Sequence, residues 1–330
     1  MRARAAAKSA REMVGTTREV SVFHEGETAV QKRAGALGAA ARLGPRVVRR
    51  QLDAGFAAFL REQPFVIVAS STPSGRVWAS VLSGPPGFAA AAASDHVVVR
   101  AHVAGEDPLA EALETGPTAL GLLVIDPAAR SRIRINGTGQ RTARGLELAV
   151  TEVFGNCPKY IKRRVPSGLI RDASTGGARL GAQLDASQRP LVGAADTFFI
   201  ASRHPGRGAD ASHRGGRPGF VTASPDGQSL TFPDYPGNNT FQTLGNLTVS
   251  PATGLLFIGW DTGRTLQISG RADVVWDEPR LESWPGAHRL VDVHIDAVVD
   301  RADGSALRWE FVEAHRLNPP VAVRARRTDQ

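Results

Sequence analysis

This chain resembles itself, and that constrains its fold more than any other feature. Residues 64–88 read PFVIVASSTPSGRVWASVLSGPPGF, and residues 196–220 read DTFFIASRHPGRGADASHRGGRPGF. At an offset of 132, Ala69, Ser70, Pro73, Ala79 and Ser80 fall opposite Ala201, Ser202, Pro205, Ala211 and Ser212. Gly84, Pro86, Gly87 and Phe88 fall opposite Gly216, Pro218, Gly219 and Phe220. Residues 120–139, LGLLVIDPAARSRIRINGTG, match TGLLFIGWDTGRTLQISGRA from Thr253 onward at an offset of 133, so Arg132 stands opposite Thr265. One inserted residue separates the two offsets. Chance likeness between apolar strands does not keep Gly and Pro in register over so long a stretch.

Each copy has the same coarse reading. FVIVAS and FFIAS are apolar runs of strand length, buried on both faces. Turns at Pro73-Ser74-Gly75 and Pro205-Gly206 lead to a second strand, which ends at the PGF turn. A third strand is expected over 96–103 and 229–235, then a short helix over 108–114 and 238–247. Two further strands close each unit. The 35 Gly and 21 Pro among 330 residues, with 42% hydrophobic content, agree with strand-and-turn material. The expected fold is mainly β with short helices: two tandem small barrels, closed or split, packed on each other. The predicted division is a basic N-terminal segment (1–50), a first barrel (51–170), a linker (171–195), a second barrel (196–315) and a basic tail (316–330).

The net charge of +8 is carried by the ends. Residues 1–50 hold eleven Lys/Arg against four Glu, and 321–330 hold three Arg against one Asp, so residues 51–320 are close to neutral. Solvated basic ends explain this distribution, and nucleic-acid binding is not expected. No apolar stretch approaches a membrane span. The N-terminus has no apolar signal core, and the single cysteine, Cys157, suits a reducing compartment, so a cytoplasmic location is expected. His24-Glu25-Gly26-Glu27 is not HExxH, and no Walker A loop or strand-bound GxGxxG occurs.

The second-copy string, from DTFFIASR through SHRGGRPGFV, LTFPDYPGNNTFQTLGNL and GLLFIGW, resembles the pyridoxamine 5′-phosphate oxidase-related, FMN-binding split-barrel superfamily. FHEGETAVQKRAG (23–35) and VFGNCPKYIKRR (153–164) resemble a bacterial two-barrel subfamily. Some of its members continue into a ferredoxin–NADP reductase-like module, which this sequence lacks. The resemblance covers about residues 20 to 315. It implies tandem FMN-binding split β-barrels and an FMN-dependent oxidoreductase. The substrate would be a small molecule, with electrons from reduced nicotinamide or a separate reductase. Relatives in the superfamily also bind a deazaflavin or haem, and a flavin-binding protein without catalysis is the further alternative. The resemblance leaves two places open for the interface that holds the cofactor: within one chain or across a homodimer.

The cofactor residues expected on this resemblance lie in the second copy. Ser212, His213, Arg214 and Gly215 offer a cation and close backbone approach beside a strand end. Phe232, Pro233 and Asp234, with Asn238 and Asn239, align with the strand–helix junction that carries flavin contacts in relatives. Relatives often have Ser, Arg or Lys where Asn238 and Asn239 stand. Gln267 falls where relatives place a polar side chain near the ring. The first copy has Ser80-Val81-Leu82-Ser83-Gly84 opposite Ser212-His213-Arg214-Gly215-Gly216, so it lacks the cation and imidazole. It is read as the degenerate half, in which Arg132 matters less than Arg214. Cys157, Lys159 and Tyr160 form a second candidate group: Cys157 as a redox thiol or a structural one, Lys159 and its basic neighbours as a contact for an anion or a solvated face. No metal site and no catalytic residue are assigned.

Overall fold

The computed structural model describes residues 21–169, 177–276 and 278–321. Residues 1–20 of the basic N-terminal segment, 170 at the end of the predicted first barrel, 171–176 of the predicted linker, 277, and 322–330 of the basic tail lie outside the described residues. Three helices come first: α1 (Glu25–Arg33), α2 (Leu37–Val47) and α3 (Ala54–Glu62). His24 and Glu27 cap α1 reciprocally, a capping box with histidine in the usual Ser/Thr place.

The first sheet contains β1 (Phe65–Ser71), β2 (Val77–Ser83), β3 (Ala89–Ala93), β4 (His96–Val99), β5 (Thr118–Asp126), β6 (Ser131–Thr142) and β7 (Gly145–Gly155). Helix α4 (Pro108–Ala112) joins β4 to β5. After β8 (Arg163–Leu169), β9 (Arg179–Gly181) and α5 (Arg189–Ala194) comes the second sheet. It contains β10 (Thr197–His204), β11 (Gly208–Gly215), β12 (Thr222–Ala223), β13 (Ser229–Asp234), β14 (Ala252–Ile258), β15 (Thr265–Val275) and β16 (Arg289–Arg301). Helix α6 (Gln242–Val249) joins β13 to β14, and β17 (Leu307–Glu313) pairs with β8.

The strand orders are β2-β1-β5-β6-β7-β4-β3 and β11-β10-β14-β15-β16-β13-β12, the same path twice. Residues that match in sequence also match in register. Ala69 faces Ala79 and Gly121, while Ala201 faces Ala211 and Gly254. Both copies break register at the same equivalent place, between Asn136 and Gly137 and between Ser269 and Gly270. A Cβ at Gly137 would lie 2.0 Å from the Ala149 carbonyl oxygen, and one at Gly270 would lie 2.1 Å from that of His294. The bulge therefore requires glycine in both copies.

The structure adds strands that the sequence reading left out. β7 and β16 are long and alternate apolar with polar residues, and each bridges the front strands to β4 or β13. Together with the short strands β3 and β12, that closure turns five expected strands per copy into seven. The expected helix over 238–247 begins later, at Gln242, because Asn239 and Phe241 adopt left-handed backbone (φ 63° and 59°) and hold 238–241 as a turn.

Three apolar cores follow from strand alternation. Val66 and Val68 point into the first barrel's core, and Phe198 and Ile200 into the second's. Phe65, Ile67 and Ala69 point the other way, into a third core that also takes Phe199, Ala201, Ala211 and Leu256. The apolar runs are buried on both faces because one face serves a barrel and the other serves the joint between barrels. This joint has a pseudo-twofold. A Cβ at Gly121 would meet the backbone of Ala209 and Asp210 at 2.7 Å, and one at Gly254 would meet Val77 and Trp78 at 2.6–2.7 Å. Those partners are themselves equivalent at the offset of 132, so each copy lays the same patch on the other, as in an isologous dimer.

Candidate functional site

The pseudo-twofold gives two equivalent places where a β-edge of one barrel meets β6 or β15 of the other. They differ chemically. At the first, Arg132 and Arg134 of β6 project from the first barrel onto β11 of the second. Arg134 donates from Nη1 to Asp210 (2.9 Å) and from Nη2 to Ser212 Oγ (2.6 Å). Arg132 donates from Nη1 to His213 Nδ1 (2.8 Å) and from Nη2 to the Cys157 carbonyl (2.8 Å). Arg214 ion-pairs with Asp234 at 3.1 Å, and Arg289 of β16 approaches the same carboxylate at 3.2 Å.

Of these side chains, Arg132, Arg134, Ser212, His213, Arg214 and Asp234 line a pair of adjoining cavities. One is bounded by Arg132, Asn156, Cys157, Lys159, Tyr160 and His213, the other by Asp234, Asn238, Asn239 and the first turn of α6. Arg134, Arg214, Tyr235, Gly237 and Asn238 border both. The residues 156–162 form one wall and are tied down at several points. The Tyr160 hydroxyl donates to the Pro236 carbonyl (2.9 Å), and Lys162 Nζ donates to the Gly216 carbonyl. A Cβ at Gly215 would lie 2.3 Å from the Tyr160 carbonyl oxygen, so this approach needs glycine. Tyr160 itself has φ of 68°, a left-handed conformation that is strained for an aromatic residue.

The electrostatics favour an anion. Four guanidinium groups, those of Arg132, Arg134, Arg214 and Arg289, meet two carboxylates, Asp210 and Asp234. Burial pushes the Arg132 guanidinium down to about 9, and the neighbouring Arg134 and Arg214 add to this. Arg214 and Arg289 are lowered mainly by burial as well. His213 falls well below its ordinary value because it is buried and Arg132 lies beside it, so it is neutral at pH 7. Buried Arg132 Nε, Arg134 Nε, Arg214 Nε, His213 Nε2, Tyr235 Oη and Thr243 Oγ1 have no hydrogen-bond partner in the protein. Helix α6 has no side-chain N-cap, so its first-turn N–H groups also face this region. Donors left over at such density call for a ligand with several acceptors and negative charge.

The equivalent place on the other side of the pseudo-twofold is filled. Gln267 stands opposite Arg134 in the repeat, and Leu82 opposite Arg214. Here Asp107 caps α4, accepting from Leu109 N (2.9 Å) and from Ser80 Oγ (2.5 Å). Gln267 Nε2 and Arg301 Nη1 approach its second oxygen at 3.4 and 3.5 Å. A built-in carboxylate thus takes the helix N-terminus that the first place leaves open, and a strand hydroxyl whose counterpart, Ser212, is held by Arg134.

The predicted residues separate accordingly. Ser212, His213, Arg214, Gly215, Pro233, Asp234, Asn238 and Asn239 come together, and Cys157, Lys159 and Tyr160 join the same cleft. Gln267 does not: it donates to the Ala79 carbonyl and to Ser80 Oγ at the filled place, both at 3.0 Å. Phe232 does not either, since it alternates inward and packs edge-on to Phe198 in the second barrel's core. Sequence reasoning discounted Arg132 and did not single out Arg134 or Arg289. The first copy, expected to lack a cation, supplies two from a different strand to the other barrel's edge. The alternation of Arg132, Arg134 and Asn136 along one face of a strand was the available signal.

Among the described residues, His24, Glu25 and His204 have ligand atoms close enough to hold a metal ion. Their imidazole nitrogens are already used. His24 accepts from Gly26 N and bonds Asn246 Oδ1 (2.9 Å), and His204 accepts from Gly206 N and bonds Glu25 (2.8 Å).

Two barrels of one topology, with an anion-seeking cleft at their joint, define a class of ligand-binding split-barrel protein. Residues 184–317 match the family model described as pyridoxamine 5′-phosphate oxidase. The match falls on the second barrel. No curated protein matches the chain. Similar solved structures include a putative pyridoxamine 5′-phosphate oxidase from Lactobacillus delbrueckii, at 14% identity and TM-score 0.30, covering 36% of this chain and 94% of that one. HupZ of Group A Streptococcus is 8% identical at TM-score 0.31, covering 37% and 98%. A FAD-binding protein from Mesorhizobium loti is 14% identical at TM-score 0.26, covering 38% and 98%. No helix among the described residues is long and apolar enough to cross a membrane.

Proposed function

We propose that the chain binds one flavin mononucleotide in the cleft between its barrels and acts as an FMN-dependent oxidoreductase on a small molecule. The observation that carries this is the surplus of two positive charges, with unpartnered donors, at the uncapped start of α6. A phosphomonoester brings about two negative charges and several acceptor oxygens, which suits this donor set. Arg134 and Arg214, which border both cavities, and Thr243 would hold the phosphate. Tyr160, Tyr235 and His213 would bound the ring. Bound flavin supplies the redox chemistry; the residues orient it and exclude water. The family-model match over the second barrel lends weight to a flavin. The repeated strand path and shared bulge are what a tandem duplication leaves, and Asp107 in the equivalent place argues for a single cofactor per chain. Both sets of cations come from one chain, so a homodimer is not required. Electrons would come from reduced nicotinamide or a separate reductase.

Titration of the purified chain with FMN, followed by flavin fluorescence quenching, tests this. Saturation at one FMN per chain is expected. Arg214→Ala should weaken binding by about 1.5–3 kcal/mol, as for a lost hydrogen bond to a charged group. A protein that leaves FMN fluorescence unchanged, or takes two per chain, would overturn the reading. A Soret band in the purified protein would point to haem instead.

A further inference from the structure

The least ordinary contact in the cleft is an arginine donating to a histidine. Arg132 Nη1 lies 2.8 Å from His213 Nδ1, and an arginine has only donors to offer. Nδ1 must therefore accept, which leaves the ring proton on Nε2. That Nε2 is buried and has no partner in the protein, although His213 lines the cleft. Arg132 is itself fixed by its second bond, to the Cys157 carbonyl. The phenyl ring of Phe199 packs against the imidazole at 6.0 Å between centroids, in an edge arrangement. An unsatisfied buried N–H costs about 1–3 kcal/mol, so the arrangement is poorly explained by stability alone.

We propose that Arg132, reaching across from the first barrel, clamps His213 in the Nε2–H tautomer, and that this N–H is offered to an acceptor atom of the ligand bound in the cleft. Arg132 is a positioning residue, and His213 is the group that touches the ligand. The second half of the proposal rests on the flavin reading above; the clamp does not. The pairing also accounts for the repeat's asymmetry. Thr265 and Val81 stand at the equivalent positions, and neither the clamp nor the imidazole exists there.

The test uses the full chain labelled with 15N in its histidine rings. Long-range 1H–15N correlation spectra report which ring nitrogen carries the proton, and loss of one set of signals in His213→Phe assigns His213 among the eight histidines. In flavin-free protein, protonated Nε2 and bare Nδ1 are expected. In Arg132→Met the Nδ1–H form should become populated. An Nδ1–H signal in the unsubstituted protein, or an unchanged tautomer in Arg132→Met, overturns the clamp. FMN titration then reads the contact. His213→Phe should lose about tenfold in affinity, and His213→Gln, which keeps an N–H donor, should stay within about threefold of the parent. Equal affinity in His213→Phe overturns the contact while the flavin reading stands. If the parent chain ignores FMN, the flavin reading and the contact fail together, and the clamp is decided by the spectra.

Discussion

At Glu27, burial outweighs the contacts that would keep a carboxylate charged. Desolvation pushes its carboxyl up to about 8, against a hydrogen bond from the His24 backbone N–H, and Glu152 and Asp210 nearby add repulsion. The folded state therefore binds this proton more tightly than the unfolded chain does. The stability it contributes is complete below about pH 4.5 and is lost as pH rises through about 8. Glu27→Gln keeps an oxygen to accept from His24 and has no charge to bury. Its melting temperature should exceed that of the parent protein at pH 8.5, by a margin equivalent to about 2–4 kcal/mol, and the two should converge near pH 5. Parallel curves across that range would show that Glu27 titrates near its ordinary value. At the same scale, Ser212, His213 and Arg214 were legible in the sequence because a polar cluster beside two glycines is unusual on a strand. The role of Arg132 was not, because it depends on which strand face meets which neighbour.

Among the elements, α1 explains why the string around residues 23–35 is distinctive. It packs against α6 so closely that two glycines meet. A Cβ on Gly26 would lie 2.2 Å from the Gly245 carbonyl oxygen, and one on Gly245 would lie 2.5 Å from Glu27 N. Further along α1, Gln31 Nε2 donates to the Thr240 carbonyl (3.0 Å) and so holds the turn that precedes α6. Asn246 on α6 is tied to His24 and to Ser202. The N-terminal helix thus braces the helix whose first turn borders the anion cleft. Gly245→Ala gains at most about 1 kcal/mol of helix propensity. The overlap with backbone costs about 1–3 kcal/mol, and the overlap should win. Thermal melting should show a lower midpoint, with weaker FMN binding alongside it. A midpoint raised above the parent's would mean that the helices can separate at no cost. Strand β7 carried an alternation that sequence reading passed over, and α6 started late because a left-handed turn is not visible in residue spacing.

Across the whole molecule, the two barrels depend on each other. Their joint buries Phe65, Ile67, Phe199, Leu256 and Trp309 among others, and each large apolar side chain of this kind contributes about 1.5–3 kcal/mol when taken from water. Gly121 and Gly254 set how closely the sheets approach. Gly121→Val would press on the backbone of Ala209 and Asp210, next to the Asp210–Arg134 pair. It should lower the melting midpoint by several degrees and reduce FMN affinity, while Gly38→Ala, on the exposed face of α2, should leave that affinity unchanged. If Gly121→Val binds FMN as the parent does, the cleft does not depend on barrel spacing. The repeat, the β-rich character and the asymmetry of the two copies were all present in the sequence, because Gly, Pro and apolar periodicity are local and survive in register. The location of the cleft was not. Cations on one barrel and an uncapped helix on the other become a single site only when the pseudo-twofold brings them together, and the same operation gives the equivalent place to Asp107.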